Sequence, residues 1–419
     1  MTFAHFVSNP AQRARQSFLR TAMIVALAGA ATAACAQSTD TATAPAAAPV
    51  LVTVSQDKSF VDLLPQKALD ERKFMAQPQS WFLAHLDGAQ TVLEGQTLNP
   101  KLQYEFQERV KSRAASGRDY NEWLNKIWAK PAGRQQLRDA VDINWTRTAY
   151  DVGKIGAIED TNIPGPGGAL PARIYRPQGT GLKPALVYFH GGGFLMASYK
   201  AVEPQAKILA KEGDIIVISV NYRLAPENKF PAAQHDAIAA YRWVVANAAA
   251  LGIDASRIGV GGDSAGGNLA AVVTQEQIRA HKPVPKALLF YYPFVDVNFE
   301  RYDSYRVFGN GFGLDKQFIA QATSQLFAEP GDKDHRWLHI ADSPDLAKFP
   351  PSIIATGGFY PLRDQIRTLA AKMQQAGAQV DLKQYPSLNH GFLELSAVVD
   401  AAHDACFDTA REIGKMLRQ

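Results

Sequence analysis

The residues best suited to chemistry in this chain are a serine, a run of glycines and a histidine that stand far apart in sequence. Ser264 lies in Gly262-Asp263-Ser264-Ala265-Gly266, a G-x-S-x-G pattern between an apolar run and a helical pattern that starts near Asn268. A serine on a tight strand-to-helix turn has its hydroxyl thrust into a cleft, and the flanking glycines remove side chains that would clash there. The first amides of the following helix, beginning with Ala265, then point at whatever Ser264 attacks and can hold a developing oxyanion. In His190-Gly191-Gly192-Gly193-Phe194 the glycines Gly191, Gly192 and Gly193 permit backbone conformations that leave N–H groups unpaired and facing the same cleft. His390, in Leu388-Asn389-His390-Gly391-Phe392, follows the last strand pattern and suits a general base. His190 precedes the loop that must carry the donors, so it reads as a brace for the glycines and not as the base. The chemistry that these residue types share is acyl transfer through an activated serine.

Such residues converge only if the elements between them place them on one edge. From about Tyr150 onward, β-branched runs alternate with helical patterns: ALVYFH, IIVISVNY, RIGVGG, ALLFYYP, SIIATGG and VDLKQYP read as strands, and FPAAQHDAIAAYRWVVANAAA as one of the helices between them. That grammar predicts a mostly parallel sheet with helices on both faces, whose ligands bind at the carboxyl ends of the strands. HGGGF, GDSAGG, YPLRD and NHGF each follow a strand and are expected at that edge. Residues 55–150 carry helical spacing with almost no alternation and read as a helical N-terminal extension and cap, followed by a catalytic domain over 151–419. Trp81, Phe82, Trp123 and Trp128 in that extension are read as helix core in preference to a pocket lining.

Composition narrows the partners. With 44 basic against 40 acidic residues, a net charge of +4 and no basic run, the 419-residue chain has no footprint for nucleic acid, and a small neutral substrate is expected. Arg13, Arg15 and Arg20 precede an apolar stretch, Thr21 to Ala34, too short to cross a bilayer comfortably, which reads as a signal peptide over 1–36. Ala34-Cys35-Ala36 suits cleavage before Gln37 and release to the periplasm or medium, while Thr32 to Cys35 offers the alternative of a lipid anchor at Cys35. Residues 37–54, rich in Ala, Thr and Pro at their start, read as a flexible linker. Cys35 and Cys406 are the two cysteines, and no HExxH spacing occurs, so neither a disulfide framework nor a metal or other cofactor is expected.

From about Ile158 to the C-terminus the chain resembles the bacterial branch of the hormone-sensitive-lipase family of α/β hydrolases. The resemblance is carried by IPGPGGALPARIYRP, ALVYFHGGGF, NYRLAPENKFPAAQHDA, DASRIGVGGDSAGGNLAA and LNHGF in that order. It implies an α/β-hydrolase fold with a helical N-terminal cap and hydrolysis of short- to medium-chain carboxylic esters without a cofactor. It further implies Ser264 as nucleophile, His390 as base and an oxyanion hole from the HGGG loop with Ala265.

One position departs from the pattern. Where the family has D-P-L-x-D, with the first aspartate orienting the histidine, this chain has Tyr360-Pro361-Leu362-Arg363-Asp364. A phenol at its ordinary pKa is neutral and would not stabilise an imidazolium as a carboxylate does. Three readings follow: Asp364, or else Asp296 after the preceding strand, supplies the acid; Ser264 and His390 work as a slow dyad; or the pocket is a ligand-binding module. The first is expected. Because His390 must be neutral to accept a proton, activity is expected to fall on acidification through about pH 6 to 7.

Overall fold

The computed structural model describes residues 48–419. The signal segment and most of the expected linker lie outside the described residues. Within the linker's span, Val52–Thr53 (β1) does not stay free: it pairs antiparallel with Ala157–Gly165, Val52 opposite Asp160. Two β-branched residues beside an open sheet edge satisfy backbone groups that a free linker would leave to water.

The extension is largely helical, as expected, with helices at Gln66–Met75 (α1), Gln79–Ala84 (α2), Pro100–Ser116 (α3), Tyr120–Trp128 (α4) and Pro131–Thr146 (α5). Its longest helix, α3, begins where the Asn99 side chain accepts from the Lys101 N–H at 3.0 Å with Pro100 in the first turn, and ends at Gly117 in the left-handed region. Between α2 and α3 a two-stranded ribbon, Val92–Leu93 (β2) and Gln96–Thr97 (β3), interrupts the helices. Four aromatic rings, Phe74, Trp81, Phe82 and Tyr104, pack mostly edge to face within 5.7 Å of one another, so Trp81 and Phe82 are core residues of the extension.

The strand β4 (Ala157–Gly165) forms a hairpin with β5 (Gly168–Arg176), followed by β6 (Lys183–Phe189), α6 (Glu203–Gly213), β7 (Ile216–Val220), α7 (Ala232–Ala246), β8 (Ile253–Asp263) and α8 (Ala265–Arg279). After these come β9 (Leu288–Tyr291), α9 (Asp303–Phe308), α10 (Lys316–Leu326), β10 (Ser352–Phe359), α11 (Arg363–Gln375), β11 (Val380–Asn389) and α12 (Asp400–Arg418). All six runs read as strands are strands; the β4–β5 hairpin, whose prolines and glycines mask its alternation, is additional. The sheet order is β1-β4-β5-β7-β6-β8-β9-β10-β11, antiparallel through β5–β7 and parallel from β7 to β11. Helices α6 and α12 pack together, as do α7 and α8, and the two pairs cover the sheet.

From β6 the chain moves outward to β7 and returns to β8 on the other side of β6. Neighbouring strands whose connections run in opposite directions leave a crevice at their carboxyl ends. The HGGG loop leaves β6 and the Ser264 turn leaves β8, so both border that crevice.

Candidate active site

Ser264 sits at the β8–α8 turn with φ 53° and ψ −116°, a conformation that side chains other than glycine rarely adopt. The turn is pinned on both sides: its N–H donates to the Tyr291 carbonyl at 2.9 Å, and its carbonyl accepts from the Phe294 N–H at 2.9 Å. A Cβ on Gly266 would run into the Phe189 carbonyl, and one on Gly262 would meet both that oxygen and the Gly266 backbone. These two glycines let β6 and the start of α8 approach closely enough to hold the strained serine.

Ser264 Oγ lies 3.0 Å from His390 Nε2. His390 is the first residue after β11, and its ring packs between Tyr292 and Tyr360, with centroids at 4.7 and 5.3 Å. Burial pushes the His390 imidazole down to about 3, well below the expected range, and no carboxylate among the described residues offsets the cost of a buried cation. Its Nδ1 is buried without a hydrogen-bond partner among the described residues.

Neither expected carboxylate reaches that nitrogen. Asp364 lies in the first turn of α11, where its carboxylate accepts from the Ser304 N–H at 2.9 Å and from Arg363 Nε at 2.7 Å. Burial alone would raise its pKa, but the Arg363 guanidinium and these donors hold it below the usual carboxylate range. Asp296 is buried and accepts from the Tyr302 hydroxyl at 2.7 Å and Arg301 Nη1 at 3.1 Å, with His339 Nδ1 at 3.2 Å. It joins His339 and Asp342 around the Arg301 cation and braces the segment after β9. Tyr360 does occupy the turn behind His390, but its hydroxyl pairs with Thr356 Oγ1 at 2.5 Å, and burial pushes its pKa up, so the phenol stays neutral.

The oxyanion side also needs one correction. The Gly191 N–H donates to Asp263 Oδ1 at 3.0 Å, so it is not free to face a substrate. Gly192 and Gly193, at φ 100° and 63°, make no N–H hydrogen bond among the described residues, and with Ala265 they border the cleft. Asp263, the second residue of the G-x-S-x-G pattern, was not singled out in the sequence. It is buried, also accepts from the Tyr188 hydroxyl at 3.1 Å, and burial pushes its carboxyl up to about 7. The signal for it was its type: an ionisable residue between Gly262 and Ser264 at a strand end needs a partner, and an amide-rich glycine loop supplies one. His190 does brace the loop: its Nδ1 is 2.9 Å from the Gly191 carbonyl, its ring stacks on Tyr222 at 4.4 Å, and burial holds it down at about 4, hence neutral.

Above Ser264 opens a cavity of about 380 Å³, of a size for a small ester. Phe194, Phe294, Phe299 and Phe318 line its apolar side; Trp145 and Phe106 come from the extension. None of Trp81, Phe82, Trp123 and Trp128 lines it.

Comparison with known proteins agrees with this architecture. A family model described as alpha/beta hydrolase fold matches residues 186–394. A carboxylic ester hydrolase, LipN, of Mycobacterium tuberculosis is 40% identical over 247 residues, 57% of this chain and 65% of that protein. An ethyl acetate hydrolase of Pseudomonas putida is 34% identical over 57% of this chain and 76% of its own length. Among solved structures, an ester hydrolase from the metagenome of Lake Arreo superposes with a TM-score of 0.70 at 31% identity, covering 77% of this chain and all of that one. Fold and site thus define an α/β hydrolase. The chain belongs to the carboxylic ester hydrolases of that fold, the hormone-sensitive-lipase-like family that its motifs resemble, and is a carboxylesterase-type enzyme.

Proposed function

We propose that this enzyme cleaves short- to medium-chain esters through a Ser264–His390 dyad, with no carboxylate among the described residues completing a triad. The 3.0 Å approach of Ser264 Oγ to His390 Nε2 is the observation that carries this reading. His390 takes the Ser264 proton as Oγ attacks the ester carbonyl, the Gly192, Gly193 and Ala265 amides receive the oxyanion, and His390 returns the proton to the departing alkoxide. Water then repeats the sequence on the acyl-enzyme and releases the acid. Each oxyanion donor is worth about 3 kcal/mol in comparable sites, which lets a dyad turn over without the third group.

Hydrolysis of p-nitrophenyl acetate and butyrate by the parent and by Ser264→Ala tests this. Turnover that disappears in Ser264→Ala is expected; turnover equal in both would overturn it and return the site to a ligand-binding role. We further propose export, supported by the basic, apolar and small-residue order of residues 13–36. The intact mass of the protein recovered from its native host distinguishes cleavage before Gln37 from a diacylated Cys35, and an uncleaved chain in the cytosol would refute export.

A further inference from the structure

Arg109, Arg113, Arg147, Glu105 and Glu394 bring charge to the cavity, with Glu394 on the His390 loop itself, whereas Phe194 and Phe318 stand beside the oxyanion loop. We propose that the alcohol portion of the natural ester carries an anionic group, a carboxylate or its equivalent, recognised by Arg109. This deepens the esterase reading and rests on it.

The direction follows from the proton transfers. His390 protonates the leaving alkoxide, so the alcohol portion lies over the imidazole and the residues beside it. Those residues are Gly391 and Glu394 of the His390 loop and, facing them, Arg147 and Thr148 from the end of the extension; the Thr148 hydroxyl donates to the Glu394 carbonyl at 2.8 Å. Arg109 on α3 reaches the same wall, its Nη1 3.5 Å from the carbonyl of Gly313, and a Cβ on Gly313 would meet Asn389, the neighbour of His390.

The cations on this wall are unequally satisfied. Arg113 is held by Asp315 at 2.8 Å and stacks on Tyr120 at 4.3 Å, which suits a brace between α3 and the 313–315 segment. Arg147 lies between Glu105 and Glu71, each at 3.1 Å. Among the described residues Arg109 makes long polar contacts, 3.3 Å to Glu105 and 3.5 Å to Gly313, and lies over the Phe106 ring at 5.9 Å, while Glu105 also serves Arg147. A guanidinium has five donors in a planar fork suited to a carboxylate, and Arg109 uses little of that capacity. Its side chain is 42% exposed, so the guanidinium is accessible to a ligand. Of the acids here, Glu394 does not oppose an anion at neutral pH, since burial pushes its carboxyl up to about 8, and Glu105, which also lines the cavity, is shared between Arg109 and Arg147. The neutral substrate expected from overall charge balance thus gives way to a local reading: a near-neutral chain can still present a cation at one end of its cleft.

The test compares 4-acetoxybenzoate with 4-acetoxybenzamide, esters of similar shape that differ in the charge of the alcohol portion. Release of the phenol is corrected for spontaneous hydrolysis and measured in the full-length enzyme, Arg109→Gln, Arg109→Lys and Ser264→Ala. The parent is expected to favour the carboxylate in kcat/KM, and the carboxylate-to-amide ratio is expected to fall about tenfold in Arg109→Gln, with part of it kept in Arg109→Lys. Raising ionic strength from about 0.02 to 0.5 M should lower the parent's ratio as well, a measurement that needs no variant. A parent ratio at or below one, or a ratio unmoved by both salt and Arg109→Gln, would overturn the proposal while leaving the esterase intact. Absence of Ser264-dependent cleavage of these two esters and of p-nitrophenyl acetate would overturn both.

Discussion

At Tyr360 the phenol and the imidazole it packs against face different partners. The Tyr360 hydroxyl is held by Thr356 Oγ1, and His390 Nδ1 has no hydrogen-bond partner among the described residues. A buried imidazole without a carboxylate is a weak base, so Tyr360→Asp should raise kcat/KM on neutral esters by roughly tenfold or more, through a stronger base and a stabilised imidazolium. The same substitution removes a fully buried aromatic ring and should cost about 3 kcal/mol or more of stability, read as a lowered midpoint in urea. An unchanged rate in a folded Tyr360→Asp would mean that the orphan nitrogen does not limit turnover. The pH profile provides a second check. Only neutral His390 accepts a proton, and its depressed pKa keeps it neutral as pH falls, so the base is lost only as pH approaches about 3. In the parent, kcat/KM on p-nitrophenyl acetate should therefore show no His390 limb between pH 7 and about 5, whereas in Tyr360→Asp the limb should move up toward the ordinary range near 6.5.

The β8–α8 elbow and the HGGG loop depend on backbone approach, which makes their substitutions informative at the scale of elements. Gly266→Ala places a methyl group against the Phe189 carbonyl, between two elements that cannot separate without disturbing the sheet. It should destabilise by about 1–3 kcal/mol or more, measured by chemical denaturation, and should lower activity in whatever folded protein remains. Asp263 ties the HGGG loop to the elbow through the Gly191 amide. With its carboxyl pushed up to about 7, Asp263→Asn resembles the protonated form and should stay within about threefold of the parent at pH 6, while Asp263→Ala orphans the amide and should lose about tenfold in kcat. Equal effects of the two substitutions would show that the carboxyl's hydrogen bond does not set the loop.

Over the whole molecule, the N-terminal extension is bound into the catalytic domain at several points. Lys101 is buried and its ammonium donates to the Met75 and Val398 carbonyls at 2.8 and 2.7 Å, joining the extension to the approach of α12. Glu94 in the β2–β3 ribbon meets Arg363 at 2.6 Å, three residues beyond Tyr360, and the Asn99 N–H donates to the Ser387 carbonyl at 3.0 Å on β11. The extension also contributes Phe106, Arg109 and Trp145 to the cavity. A chain truncated to residues 151–419 should therefore lose both soluble yield and Ser264-dependent turnover. Full activity from such a chain would show that the extension is dispensable.

Much of this was legible because it is local. Backbone strain at Ser264, glycine spacing and alternation of strand and helix are dictated by residues within a few positions of one another, so G-x-S-x-G, HGGGF and the six strands could be read directly. Asp263 and the β4–β5 hairpin were missed for the opposite reason: the role of one depends on a loop 72 residues away, and the other's pattern is broken by proline and glycine. The fold and the absence of an aspartate at position 360 could be read along the chain, as could Ser264 and His390, which the structure brings within 3.0 Å of each other. What that absence does to His390 depends on contacts between segments far apart in the chain. Asp364, with Asp296 as its alternative, looks available along the chain, but each is claimed by nearby arginines and amides before it could reach His390, because a buried carboxylate settles where its charge is best compensated.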